Sequence, residues 1–183
     1  MENWQKKRVL VIGAARQGQA LARFLSQRGA AVTLNDQRSI DEMKTEMVRL
    51  SQYPINWQLS GHPLTLLDSV DLVCLSGGVP LDLPIVVEAQ KRELPISNDS
   101  QIFMENVKAP VVGITGSAGK TTTTTLVGRM AKAVVGSSRK VWVGGNIGLP
   151  LIEFIDEIKP DDLVILELSS FQLEQMTHSP HVA

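Results

Sequence analysis

The sequence has a single cysteine, Cys74, inside the apolar run "DLVCLS". One thiol cannot form an internal disulfide, which removes the small disulfide-held secreted folds and fits a reducing compartment. Cys74 itself reads as a small core residue. Charge of one sign is also missing. Lys and Arg number 18 against 19 Asp and Glu, for a net charge of -1. That balance excludes a general attraction to nucleic acid or to an anionic membrane surface. No apolar run approaches the length of a membrane span. The basic start "MENWQKKRVLVIG" leads into an apolar run that breaks at Gly13, too soon for a secretory signal. The expected location is the cytoplasm. There is no internal repeat and no nucleophile–base pair. His62, His178 and His181 are scattered through loop-like stretches.

What is present is an ordinary globular composition. Apolar residues make up 43% and charged residues 20% of 183, enough for one domain with a sizeable core or one domain and part of another. Apolar strands alternate with helix-spaced segments. Strands are expected at 8–12, 31–35, 70–76 and 94–97. Helices are expected over "QALARFLSQRG", closing at Gly29, and over 40–50 and 83–93. This alternation predicts an α/β fold, with parallel strands and helices on both faces. The polar "NVKAP" (106–110) marks a boundary between domains 1–108 and 109–183. Beyond it come strands at 111–115, 141–145 and 162–169, a helix to about Val135 and a short helix after Pro150. The closing "SPHVA" reads as a further strand with no partner.

Two glycine turns follow apolar strands. In the second, "VVGITGSAGKTTTTTLVGRM", the turn Thr115-Gly116-Ser117-Ala118-Gly119-Lys120 enters a helix at Thr121. Glycines leave room for an anion, and backbone N–H groups with a helix N-terminus can surround phosphate oxygens. Lys120 can reach the outer phosphates, and the hydroxyl of Thr121 can ligate Mg²⁺. The usual pattern has a glycine where this chain has Ile114. A metal there needs a carboxylate, and Glu167 ends the apolar run "LVILEL", where ligands gather in a parallel sheet. Thr123, Thr124 and Thr125 are assigned to packing or solvent. Asp161 and Asp162 are assigned to a solvated turn.

The first turn, "GAARQG" (13–18), is close to a dinucleotide fingerprint, with Ala15 at the middle glycine. Asp36 ends the second strand, where a ribose-binding acid would stand. A nicotinamide cofactor and a UDP-sugar both present a diphosphate to such a turn. These residues leave the two equally open. A third loop, "SGGVP" (76–80), brings Ser76, Gly77 and Gly78 to the same end of the sheet.

"GITGSAGKTTTT", "GGNIGLPL" and "LELSSFQLE", in that order, closely resemble the Mur ligases of peptidoglycan synthesis. "ELSSFQLE" resembles the branch that adds D-glutamate to UDP-N-acetylmuramoyl-L-alanine. The resemblance implies a Rossmann-like domain for the UDP substrate, followed by part of a P-loop ATPase domain. Substrate-binding positions carried over are Arg16 and Gln17, then Asp36, Gln37 and Arg38, then Ser76 and Gly78. Those facing the muramoyl group are Asn146, Ser169 and Gln172. ATP falls to Gly116, Ser117, Ala118, Gly119, Lys120, Thr121 and Thr122, and Mg²⁺ to Thr121 and Glu167. Lys120 and Glu167 are the expected catalytic residues, and the implied route is an acyl phosphate attacked by the amine of D-glutamate. This decides the first turn against NAD. The other readings are a nucleotide-binding regulatory module and half of an NAD-dependent oxidoreductase. Family members have three domains, so the resemblance implies a piece that binds its ligand without ligating. The whole enzyme would be a monomer, and the piece would tend to self-associate.

Overall fold

The structure is a computed structural model that describes residues 3–183. The chain divides into two compact units between Asp99 and Ser100.

The first unit contains strands β1 (Arg8–Ile12), β2 (Ala31–Asn35), β3 (Ile55–Gln58), β4 (Leu72–Leu75) and β5 (Ile96–Asn98). They form one parallel sheet in the order β3-β2-β1-β4-β5. Val9 to Ile12 and Leu72 to Leu75 are all buried, as continuous apolar runs must be in a sheet covered on both faces. Leu10, Ile12, Val73 and Leu75 pack against Leu67 and against Ile85, Val86 and Ala89 of helix α3 (Pro84–Lys91). Strand alternation turns Val9 and Val11 to the other face. There helix α1 (Arg16–Gln27) buries Ala20, Leu21, Phe24 and Leu25. α1 ends as the sequence predicts. Gly29 takes a φ of 85°, and the N–H of Ala30 returns to the carbonyl of Leu25. Helix α2 (Ile40–Arg49) opens with a Ser39–Glu42 capping box.

The order of the sheet positions the site. The chain runs outward from β1 through β2 to β3, then returns to the other side of β1 with β4. The loops after β1 and β4 therefore part at a topological switch point, where open α/β sheets bind ligands.

The second unit holds β6 (Val111–Ile114), β7 (Val141–Gly145) and β8 (Leu163–Glu167), all parallel, in the order β6-β8-β7. Helix α5 (Lys120–Val135) follows the second glycine turn, and the short α6 (Ser170–Glu174) follows β8. The earlier helix α4 (Asp99–Asn106) belongs here from Ser100 onward. Ser100 Oγ accepts from Gln172 Nε2 at 2.7 Å, and Gln101 Oε1 accepts from the N–H of Thr177 at 2.8 Å. The sequence puts the change at 106–110. The compact units part earlier because α4 is tied to the residues after β8.

Two expectations are corrected. "SPHVA" does have a partner: Val182 forms a parallel bridge with Val112, and its carbonyl accepts from the N–H of Gly113 at 2.8 Å. Asp162 is no solvated residue. It is 4% exposed and accepts from Trp142 Nε1 at 2.9 Å and from the N–H groups of Lys159 and Lys140. A carboxylate with three donors around it can be buried at a strand start, where the backbone has N–H groups to spare.

Candidate functional site

In the first unit a cleft of about 440 Å³ opens at the carboxyl ends of the strands. It is lined from the loop after β1 by Gly13 and Ala15, from the loop after β2 by Asp36, Gln37 and Arg38, and from the loop after β4 by Ser76, Gly77 and Gly78. His62, from the loop after β3, lines it as well. The volume suits a small organic ligand.

The glycine turn is shaped by close approach. Gly13 has a φ of 90°, and a methyl group on Gly18 would stand 1.8 Å from the carbonyl oxygen of Gly13. No side chain in this position could let α1 start where it does. The first turn of α1 has no side-chain cap and no acidic residue, so its N–H groups face the turn without a competing anion.

Asp36 is 6% exposed and fully engaged. One oxygen accepts from the N–H and Nε of Arg38, at 3.0 and 2.9 Å. The other accepts from the N–H of Ala14 at 2.7 Å and from Arg38 Nη2 at 2.8 Å. A carboxylate has about four acceptor positions, and all are used. Burial alone would raise the pKa of Asp36. The hydrogen bonds from Arg38 and Ala14, with the Arg38 charge, outweigh it and hold the group well below the usual carboxylate range. Asp36 thus joins the loop after β2 to the glycine turn and aims Arg38. It has no acceptor left for a ribose hydroxyl, which removes the support it lent to the nicotinamide reading.

Of the positions expected to bind substrate in this unit, Asp36, Gln37, Arg38, Ser76 and Gly78 line the cleft, and Arg16 and Gln17 do not. Arg16 is exposed at the start of α1, and Gln17 is 9% exposed, its side chain against Gly77. Gly77, which the sequence brings to this end of the sheet with Ser76 and Gly78, lines the cleft too, and His62 lines it without having been assigned to it. The only sequence signal for His62 is the turn "SGHP" in which it sits.

In the second unit the turn between β6 and α5 carries φ values of 142° at Gly116 and 77° at Gly119. Both favour glycine. Gly119 stands at the N-cap of a 16-residue helix with no side-chain cap and no acid in its first turn. Lys120 folds back and donates from Nζ to the Gly116 carbonyl at 2.8 Å, closing the loop into an arch. Ser117, Ala118, Thr121 and Thr122 are exposed around it. Thr124 is fully buried while Thr123 and Thr125 face solvent, in keeping with their assignment to packing or solvent.

Glu167 ends β8, the middle strand, in register with Ile114 of β6 and Gly145 of β7. Its side chain is 1% exposed. Oε1 accepts from Asn146 Nδ2 at 3.3 Å, and Oε2 is buried without a partner. An orphaned carboxylate oxygen costs free energy unless a cation or donor meets it. Among the described residues no group of three or more His, Cys, Asp or Glu side chains gathers to hold a metal. One carboxylate beside a phosphate loop is nevertheless what Mg²⁺ uses when phosphates and waters supply its other ligands, so the residues fit that group. Ser169 and Gln172 are spent on each other in the capping box of α6. Gln172 Oε1 accepts from the Ser169 N–H at 2.9 Å, and Gln172 is 2% exposed.

A parallel-sheet unit with a switch-point cleft, followed by a parallel-sheet unit with a glycine loop at a helix start and an acid at the end of the next strand over, defines the class as a two-unit α/β protein. The chain belongs to the Mur ligase family. Residues 7–98 match the Mur ligase MurD-like N-terminal domain, and residues 114–183 the Mur ligase middle domain. It is 40% identical over 174 residues, 95% of its length, to a UDP-N-acetylmuramoylalanine–D-glutamate ligase of Pelotomaculum thermopropionicum. Identity is also 40% over the whole chain to the enzyme of that name from Halalkalibacterium halodurans. The chain spans 38% and 40% of the length of these relatives. Its fold is similar to that of a solved UDP-N-acetylmuramate:L-alanyl-gamma-D-glutamyl-meso-diaminopimelate ligase from Neisseria meningitides. The TM-score there is 0.54 at 21% identity, covering 90% of this chain and 55% of that one. No helix among the described residues is long and apolar enough to cross a membrane.

Proposed function

We propose that this chain supplies the UDP-substrate unit and the nucleotide unit of an ATP-dependent ligase that joins D-glutamate to UDP-N-acetylmuramoyl-L-alanine in the cytoplasm. The observation that carries the reading is the register of Glu167 with Ile114. It sets a buried carboxylate, with one oxygen unpartnered, beside the strand that feeds the glycine loop. The names and coverage of the relatives supply the substrate class.

A carboxylate is a poor electrophile, and ATP supplies the means to activate it as an acyl phosphate. Phosphoryl transfer asks the protein for positioning and charge neutralisation more than for covalent chemistry. Gly116 to Gly119 would wrap the phosphates with backbone N–H groups, and Ser117 and Thr122 would border them. Lys120 would exchange its bond to the Gly116 carbonyl for a phosphate oxygen. Thr121 and Glu167 would hold Mg²⁺, with Asn146 steadying Glu167 through Oε1. In the first unit the glycine turn and Arg38 would take the diphosphate of the UDP substrate.

Calorimetry on this chain tests the assignment. Lys120→Ala should weaken Mg·ATP binding by about tenfold or more, the scale of a lost charge-assisted hydrogen bond, and leave UDP-N-acetylmuramoyl-L-alanine binding unchanged. ATP affinity that survives the substitution would sink the phosphate-loop reading. Loss of both ligands together would mean that the variant no longer folds.

A further inference from the structure

We propose that His62 touches the ligand in the cleft of the first unit, its Nε2 accepting a hydrogen bond from an N–H or O–H donor on the nucleoside. This rests on the reading of that cleft as a UDP site.

The argument starts at Asn35, the last residue of β2, which is 0% exposed. Its Nδ2 lies 2.7 Å from the Gln58 carbonyl and 2.8 Å from the Gly61 carbonyl. Carbonyls only accept, so the end facing them is the NH₂ group and the other end is the amide oxygen. That oxygen lies 2.5 Å from His62 Nδ1. An amide oxygen also only accepts, so Nδ1 carries a hydrogen and donates. In the neutral ring this leaves Nε2 as a bare acceptor. Nε2 has no partner among the described residues, and His62 lines the cleft. Two backbone bonds hold its loop against the loop after β2: Ser60 N–H to the Arg38 carbonyl at 2.9 Å, and Gly61 N–H to the Asp36 carbonyl at 3.4 Å.

Elsewhere in the cleft the other side-chain acceptors, the amide of Gln37 and the unpartnered hydroxyl of Ser76, have no hydrogen bond among the described residues that fixes their direction. Arg38 and the backbone of the glycine turns suit a diphosphate. Asp36, the one carboxylate there, has its oxygens filled. A nucleoside diphosphate also presents donors, at the imide N–H of a uracil base and at the ribose hydroxyls. Of the side chains that line the cleft, His62 is the one whose acceptor is left open with its orientation fixed from behind. A buried amide held by two carbonyls serves to set one tautomer of this ring, which a merely solvent-facing histidine would not need.

The test compares UDP with 3-methyl-UDP, 2′-deoxy-UDP and 3′-deoxy-UDP by calorimetry, on the wild-type chain and on His62→Phe. One analogue should bind wild type up to about tenfold more weakly than UDP, and it identifies the donor. His62→Phe should bind UDP about as weakly as wild type binds that analogue, and should no longer separate the two ligands. A variant that still separates them, even with lower affinity throughout, confines His62 to holding the loop and overturns the proposal. Wild type that does not bind UDP fails the reading of the cleft itself. A second measurement needs no variant. At about pH 8, above the ordinary histidine range, the nitrogen-15 resonance of Nε2 should move as UDP saturates the wild-type chain. A stationary Nε2 resonance with UDP bound would equally overturn it.

Discussion

Asp36 has no acceptor position left to offer a ligand. Both its oxygens are committed to Arg38 and Ala14, so its effect on binding must pass through them. Asp36→Asn should weaken UDP binding by about 1–3 kcal/mol and leave the fold intact. Arg38→Ala should cost a similar amount, and the double variant no more than either, because contacting residues do not add. Losses that add in calorimetry would instead mean that Asp36 meets the ligand directly. Asp162 carries a different consequence. Burial pushes its pKa up, but the bonds from Trp142 and the Lys159 and Lys140 N–H groups prevail, and the group titrates below the ordinary aspartate value. A depressed pKa stabilises the folded state above the unfolded value of about 3.9. That contribution is lost as pH falls from there toward the folded value. Urea midpoints should therefore drop between about pH 5 and pH 3 in wild type. They should drop less in Asp162→Asn, and identical pH slopes would remove Asp162 from the acid response.

At the scale of elements, the tight point is the turn from β1 into α1. Gly18→Ala would force a methyl group into the Gly13 carbonyl, and backbone cannot yield as a flexible side chain can. The expected cost is about 1–3 kcal/mol of stability, with weaker UDP binding because Gly13 lines the cleft. A thermal melt that matches wild type would show that the turn relaxes freely. The same turn marks what could be read from the sequence. β1, β2 and β4 announce themselves as apolar runs, and the glycine loops after them follow from their position. β3 does not. Its "INWQ" is four residues, none of them buried, and it exists because β2 offers it a parallel edge. With β3 unseen, the loop after it and His62 stayed outside the candidate site. α4 was hidden for another reason. "DSQIFMEN" has no amphipathic spacing, yet Ser100 to Met104 are all buried, because polar Ser100 and Gln101 bond to the segment after β8. Ser169 and Gln172 were visible as residues, but their mutual capping bonds appear only once α6 is folded.

For the molecule as a whole, the first unit should stand alone, and where it is cut should matter. Every residue lining the cleft falls between Ile12 and Leu83, and the five-stranded sheet is complete at Asn98. A chain ending at Asp99 should fold and bind UDP within about threefold of the 183-residue chain, since no contact of the cleft is removed. A chain ending at residue 108 should bind equally well but behave worse in solution. It would carry α4 without the residues that α4 is tied to, and Ile102 and Phe103, 1% and 2% exposed in the structure, would be uncovered. Two large apolar side chains released together favour association and dye binding. Light scattering and the fluorescence of an apolar-surface dye on the two pieces, beside calorimetry with UDP, distinguish the boundaries. A well-behaved piece ending at 108, with an unfolded one ending at Asp99, would mean that α4 stabilises the first unit and that the polar "NVKAP" stretch marks the boundary. UDP affinity lost in both pieces would mean that the second unit supports the cleft despite contributing no residue to it.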